Sequence, residues 1–143
     1  MGQIGKAFEL ALAAHAGQSD RAGAPYIGHV ARVAASIPDG PDAETAQVVA
    51  LLHDVVEDTD VTLETIEREF GPGIAATVDA LTHREDEPPE DYHARIKADP
   101  LAITVKCADL EDNSDPARLA VLPDVTRKRL EQKYAATRAA LEE

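Results

Sequence analysis

The eleven residues Val48-Val49-Ala50-Leu51-Leu52-His53-Asp54-Val55-Val56-Glu57-Asp58 constrain the fold of this chain more than any other stretch, because their side chains sort onto two sides of one helix. At roughly 100° per residue, Val48, Val49, Leu52, Val55 and Val56 share a stripe about 120° wide, with His53, Asp54, Glu57 and Asp58 opposite. One face is predicted to pack and the other to meet solvent or an ion. The polar group ends the apolar run, just ahead of the Thr59-Asp60 break, where a helix terminus already carries about half a negative charge. Three carboxylates there oppose that dipole, each at a cost of a few tenths to about 1 kcal/mol. A compensating cation, most simply a metal ion, is therefore expected in place of a solvated face.

The helical period recurs along the chain. Ile4, Phe8, Ala11 and Leu12 mark a first helix stopped near Gly17, and Val30, Val33, Ala34 and Ile37 a second with His29 at its start. Asp42 can cap the long helix that runs to the acidic cluster, and Thr62 a short one ending at Phe70. After Gly71-Pro72-Gly73, Ile74, Val78 and Leu81 form another stripe. Residues Arg84 to Asp91 are charged and contain Pro88-Pro89, so they read as a solvated loop, with a lid over the site as the alternative. Asp99-Pro100 opens a helix that packs through Leu101, Val105 and Ala108, and Leu130, Tyr134, Thr137 and Leu141 outline a terminal one. No segment alternates with period two. Aromatics are 3% of the chain against 44% hydrophobic residues, so the core must be aliphatic, and the fold class is all-α.

At 143 residues the chain has the size of one domain, spanning 1–143. Its net charge of −13, with no basic run longer than Arg127-Lys128-Arg129, disfavours binding in a DNA or RNA groove. An anionic substrate is compatible only where a cation or local Arg and Lys side chains reverse the field. A single cysteine, Cys107, and the lack of a leader or a membrane-length apolar stretch predict a cytoplasmic protein with no membrane partner. Nothing in the sequence sets an oligomeric state.

Lys106, Asp109 and Asn113 follow one another at helical spacings and form a second polar line. Together with His29 and the His53-Asp54 pair, Asp109 completes a set of two imidazoles and two carboxylates drawn from three helices. Mixed N/O ligation suits Mn, Fe, Co, Ni or Zn better than Mg or Ca, and it lacks the thiolates of most structural zinc sites. Lys106 either offsets charge developing on a substrate or pairs with Asp109 or Glu111. His83 and His93 read as surface residues, and His15 as a favourable charge at the end of the first helix.

These residues fall in segments that resemble the HD superfamily of metal-dependent phosphohydrolases, in particular the hydrolase domain of RelA/SpoT-type alarmone enzymes and their small stand-alone relatives. The resemblance rests on Ala14-His15-Ala16-Gly17-Gln18, Gly23-Ala24-Pro25-Tyr26-Ile27-Gly28-His29, Ala50-Leu51-Leu52-His53-Asp54-Val55-Val56-Glu57-Asp58-Thr59, Phe70-Gly71 and Val105-Lys106-Cys107-Ala108-Asp109 with Asn113. It implies one divalent ion, typically Mn²⁺, held by His29, His53, Asp54 and Asp109, with Glu57 and Asp58 as the catalytic acidic pair and Asn113 lining the pocket. The implied reaction removes pyrophosphate from the 3′ position of ppGpp or pppGpp. Asp20-Arg21 stands where the family has an Arg-Lys pair, which leaves Arg21 as a substrate-binding candidate and puts a negative charge where the family's arginine meets the guanine base. His29-Val30 replaces His-Pro, and Asn113-Ser114 replaces Asn-Leu. The competing readings are a phosphatase or phosphodiesterase for another nucleotide, and a binding module that keeps the metal without turnover.

Overall fold

Residues 48–52 are buried on every side, and the fold is arranged around them in the computed structural model, which describes residues 2–143. They end α3 (Ala43–Leu52), which packs against α1 (Gln3–Ala14), α2 (Tyr26–Ala35), α6 (Pro72–Leu81) and α8 (Pro100–Asn113). A helix apolar all round belongs in the middle of a bundle. The remaining helices are α4 (Val55–Asp58), α5 (Leu63–Phe70), α7 (Pro89–Lys97), α9 (Pro116–Leu119) and α10 (Asp124–Glu142), and no strand occurs among the described residues. The core is aliphatic as the composition requires, with Phe70 and Tyr92 as its aromatic members. Among the described residues no helix is long and apolar enough to cross a membrane.

Sequence signals for helix ends are met where a side chain can reach. The Thr62 hydroxyl accepts from the Thr65 amide, and the Asp99 carboxylate accepts from the Leu101 and Ala102 amides with Pro100 in the first turn. Gly71, at φ +96°, closes α5 and opens α6 in a conformation few other residues adopt. On α1 the packed face is Ala7 and Ala11. Ile4, Phe8 and Leu12 are instead 38%, 39% and 48% exposed.

Two sequence expectations are corrected here. The helix expected to run from Asp42 to Asp58 breaks at His53-Asp54, so α4 is a separate turn with Asp54 at its N-cap. Glu57 and Asp58 therefore lie in the first turn of a short helix, not at the C-terminus of a long one, and the dipole penalty inferred from a continuous helix does not apply. The second concerns residues 84–91, of which only the part before Pro89 lacks regular structure. Pro89 starts α7, where a missing N–H costs nothing, and Glu90 and Asp91 follow in the first turn.

The loop joining α6 to α7 is tied down. It turns through Asp86 at φ +62°, and its Glu87 carboxylate receives Arg95 Nε and Nη2, both at 2.8 Å. The guanidinium hydrogen bond holds the Glu87 carboxyl down to about 2 from its ordinary 4.5. A lowered folded-state pKa contributes stability that is fully present above pH 4.5 and is lost as pH falls toward 2. Glu87→Gln is expected to flatten this part of the acid limb when unfolding temperature is measured from pH 7 to 2.5. Parallel wild-type and variant curves over that range would contradict it.

Candidate functional site

The break between α3 and α4 decides the geometry of the site. On a continuous helix, neighbouring residues point about 100° apart. At the break His53 turns its Nδ1 to the Ala50 carbonyl at 2.5 Å, and Asp54 swings so that its Oδ2 lies 2.9 Å from His53 Nε2. Adjacent residues thus aim at one point. From α2, His29 Nε2 reaches 2.9 Å from Asp109 Oδ1 of α8, and the same oxygen lies 3.2 Å from His53 Nε2. One ligand atom from each of His29, His53, Asp54 and Asp109 falls within 4.8 Å of the others. Donors about 2.0–2.2 Å from a first-row divalent ion sit roughly 3 Å from their neighbours. The donor set and its spacing therefore fit such an ion.

Electrostatics hold the cluster together. Burial alone would lower the His53 pKa, but the carboxylates of Asp54 and Asp109 raise it well above its ordinary value. Burial would likewise raise Asp109, yet Lys106 and the two imidazoles hold it far below the usual carboxylate range. Lys106 Nζ donates to Asp109 Oδ2 at 3.1 Å while lining the cavity, so one of the pairings weighed from sequence is present. Asn113 Nδ2 donates to Asp109 Oδ1 at 3.2 Å. Tyr26 donates its hydroxyl to Asp54 Oδ2 at 2.5 Å.

Behind His29 stands Asp112, one turn after Asp109, accepting at 2.6 Å from His29 Nδ1 and also binding Arg32 and Arg118. A carboxylate on Nδ1 fixes the tautomer that leaves Nε2 free as a donor atom. The histidine was expected from sequence. Its backing carboxylate was not, although the Asp109-x-x-Asp112 spacing on one helix was available as a signal.

Glu57 and Asp58 project from α4 beside Asp54, one oxygen of each lying within 4.8 Å of the others. Burial raises the Glu57 pKa, with Asp54 and Asp58 adding to it, and burial with Asp54 raises Asp58. Among the described residues, the one hydrogen bond of the Glu57 side chain comes from the backbone N–H of His83 at 2.6 Å. His83 is exposed as expected, but its main chain is part of the site. His93 is partly exposed. His15, expected at the end of the first helix as a partner for its dipole, follows α1 and is buried: Nδ1 lies 2.9 Å from Gln18 Oε1, and Nε2 is the one buried side-chain polar atom without a partner among the described residues.

Asp54 and Asp109 of the cluster line a cavity of about 410 Å³, as do Glu57 and Asp58. Its lining includes Arg21, Lys106, Arg118 and Lys133 as well as the acids, so four cations of a chain with net charge −13 converge on one recess. Arg21 is at the exposed rim, and α10 contributes Lys133, Tyr134 and Thr137. Asp20 does not present a bare charge. Its Oδ1 accepts from the Ala22 and Ala24 amides and its Oδ2 from Arg118 at 3.1 Å, which together outweigh burial and lower its pKa. The three tyrosines gather here: Tyr26 and Tyr134 line the cavity, and the Tyr92 ring centre lies 5.6 Å from Lys106 Nζ.

Comparison with known proteins agrees with this geometry. Residues 7–99 match the model of the HD domain family. A guanosine-3′,5′-bis(diphosphate) 3′-pyrophosphohydrolase of Aquifex aeolicus is 38% identical over 120 residues, covering 78% of this chain and 17% of the relative. A protein of the same name from Vibrio cholerae is 34% identical over 135 residues, covering 86% and 19%. A probable GTP pyrophosphokinase of Mycobacterium leprae is 36% identical over 115 residues, covering 74% and 15%. The chain thus spans less than a fifth of the length of these relatives. A solved structure of a metazoan ortholog of SpoT that hydrolyzes ppGpp superposes with a TM-score of 0.80 at 26% identity, over 99% of this chain and 86% of that one. With its matching residues in one helical bundle around a His/Asp cluster, the chain belongs to the HD domain family.

Proposed function

We propose that residues 1–143 form one HD domain that hydrolyses a small phosphorylated nucleotide, removing the 3′-pyrophosphate of ppGpp or pppGpp. The observation that carries this reading is the convergence of His29, His53, Asp54 and Asp109 at a cavity that Asp54 and Asp109 line together with Arg21, Lys106, Arg118 and Lys133. The four donors would hold one divalent ion, Mn²⁺ on the family's pattern. Such an ion supplies Lewis acidity toward water and toward a phosphoryl oxygen. Glu57 and Asp58, whose raised pKa values suit proton acceptors, take the proton of the attacking water. Lys106 and Arg21 offset negative charge on the phosphates, and Asn113 orients Asp109 at the pocket wall. The products are pyrophosphate and GDP or GTP. The lone exposed thiol of Cys107 fits a reducing, cytoplasmic setting.

A second reading is favoured by Asp20. With both carboxylate oxygens engaged by the 20–24 turn and by Arg118, that position makes no arginine contact to a base, which suits a nucleotide other than guanosine. A nucleotide panel assayed with several divalent ions, reading phosphate and pyrophosphate separately, tests both. Pyrophosphate and GDP from ppGpp with Mn²⁺ is the expected result. Orthophosphate from another nucleotide would favour the second reading, and no release from any would leave a binding module.

A further inference from the structure

We propose that Arg95 and Glu87 are positioning residues for Glu57, acting through the main chain of His83. This rests on the reading of Glu57 as a proton acceptor. Glu57 extends from a four-residue helix to the cavity wall, and the His83 amide at 2.6 Å holds its carboxylate. A long carboxylate side chain without such a contact samples several rotamers and loses its alignment with the reacting water.

The amide stays in place because Arg95 pins both ends of the 82–88 loop. Its Nη1 donates to the Asp79 carbonyl and its Nη2 to the Thr82 carbonyl, each at 2.7 Å, which caps the end of α6 one residue before His83. Nε and Nη2 meet the two oxygens of Glu87 at 2.8 Å, fixing the far end. Glu87 then returns the hold: its carbonyl lies 2.9 Å from His83 Nε2, and a carboxylate oxygen accepts from the Arg84 amide at 3.2 Å. The His83 ring stacks on Tyr92, centroids 4.6 Å apart and 17° from parallel. Only a planar guanidinium can serve two carbonyls and a carboxylate at once. Neither Arg95 nor Glu87 lines the cavity.

The test combines Arg95→Met and Glu87→Gln with two readouts in the full chain. Amide exchange at His83 should quicken about tenfold or more in Arg95→Met, as in Glu57→Ala, because the donor loses its fixed acceptor. With the substrate found on the nucleotide panel, kcat should fall about ten- to a hundredfold at unchanged KM, by loss of alignment alone. In a Glu57→Gln background the same substitutions should cost no further kcat. Losses that multiply onto that of Glu57→Gln, a loss confined to KM, or unaltered exchange at His83 would overturn the proposal. Should Arg95→Met fail to fold, Glu87→Gln carries both readouts. If no nucleotide is turned over, the hydrolase reading fails by itself, and exchange at His83 still decides whether the clamp exists.

Discussion

Replacing Asp109 by asparagine is expected to remove metal binding and hydrolysis together while the helical fold persists at lower stability. Asp109 is the hub of the cluster: Oδ1 faces His29, His53 and Asn113, and Oδ2 faces Lys106. Asparagine keeps the shape and removes the charge that a divalent ion needs from a buried oxygen. It also leaves the mostly buried Lys106 ammonium without its counter-charge, a defect worth about 3 kcal/mol in a buried pair. Wild type in Mn²⁺ at about a hundred times the dissociation constant gains roughly 2.7 kcal/mol. For a domain of this size that raises the unfolding temperature by about 5–10 °C. The variant should show no such rise and no turnover. A Mn²⁺-dependent rise surviving in Asp109→Asn would place the ion elsewhere.

The acidic pair should behave differently. Glu57→Gln and Asp58→Asn are each expected to lower kcat by about 10²–10⁴ while the Mn²⁺-induced thermal shift is retained. The double variant should lose less than the product of the two, because the proposed mechanism gives both acids one proton transfer. Steady-state kinetics beside metal titration by calorimetry separates this from the Asp109 result. Full activity in either single variant would remove that residue from the chemistry.

The helical class, and His29, His53, Asp54 and Asp109 as the residues that cluster, were legible in the sequence because periodicity and residue type are local properties. The His53-Asp54 break was not, since the apolar period of Val48 to Val56 runs through it without a glycine or proline. The break coincides with the convergence of His53 and Asp54 on His29 and Asp109, which are distant along the chain. Pro88-Pro89 read as a pure breaker, although proline is equally a good first residue of a helix. Arg118 escaped notice for a different reason. It bridges Asp20, 98 residues away, and Asp112 on the neighbouring helix, and no pattern along the chain announces a partner at that distance. The charge read at Asp20 was correct, but its neutralisation is a tertiary fact.

The chain has no tryptophan and three tyrosines, and all three are at or against the cavity. Its near-ultraviolet absorption and emission therefore originate almost wholly from one place. A spectroscopist titrating an ion or a nucleotide into the unlabelled protein observes the recess itself, with Tyr26 bonded to Asp54 as the chromophore nearest the donors.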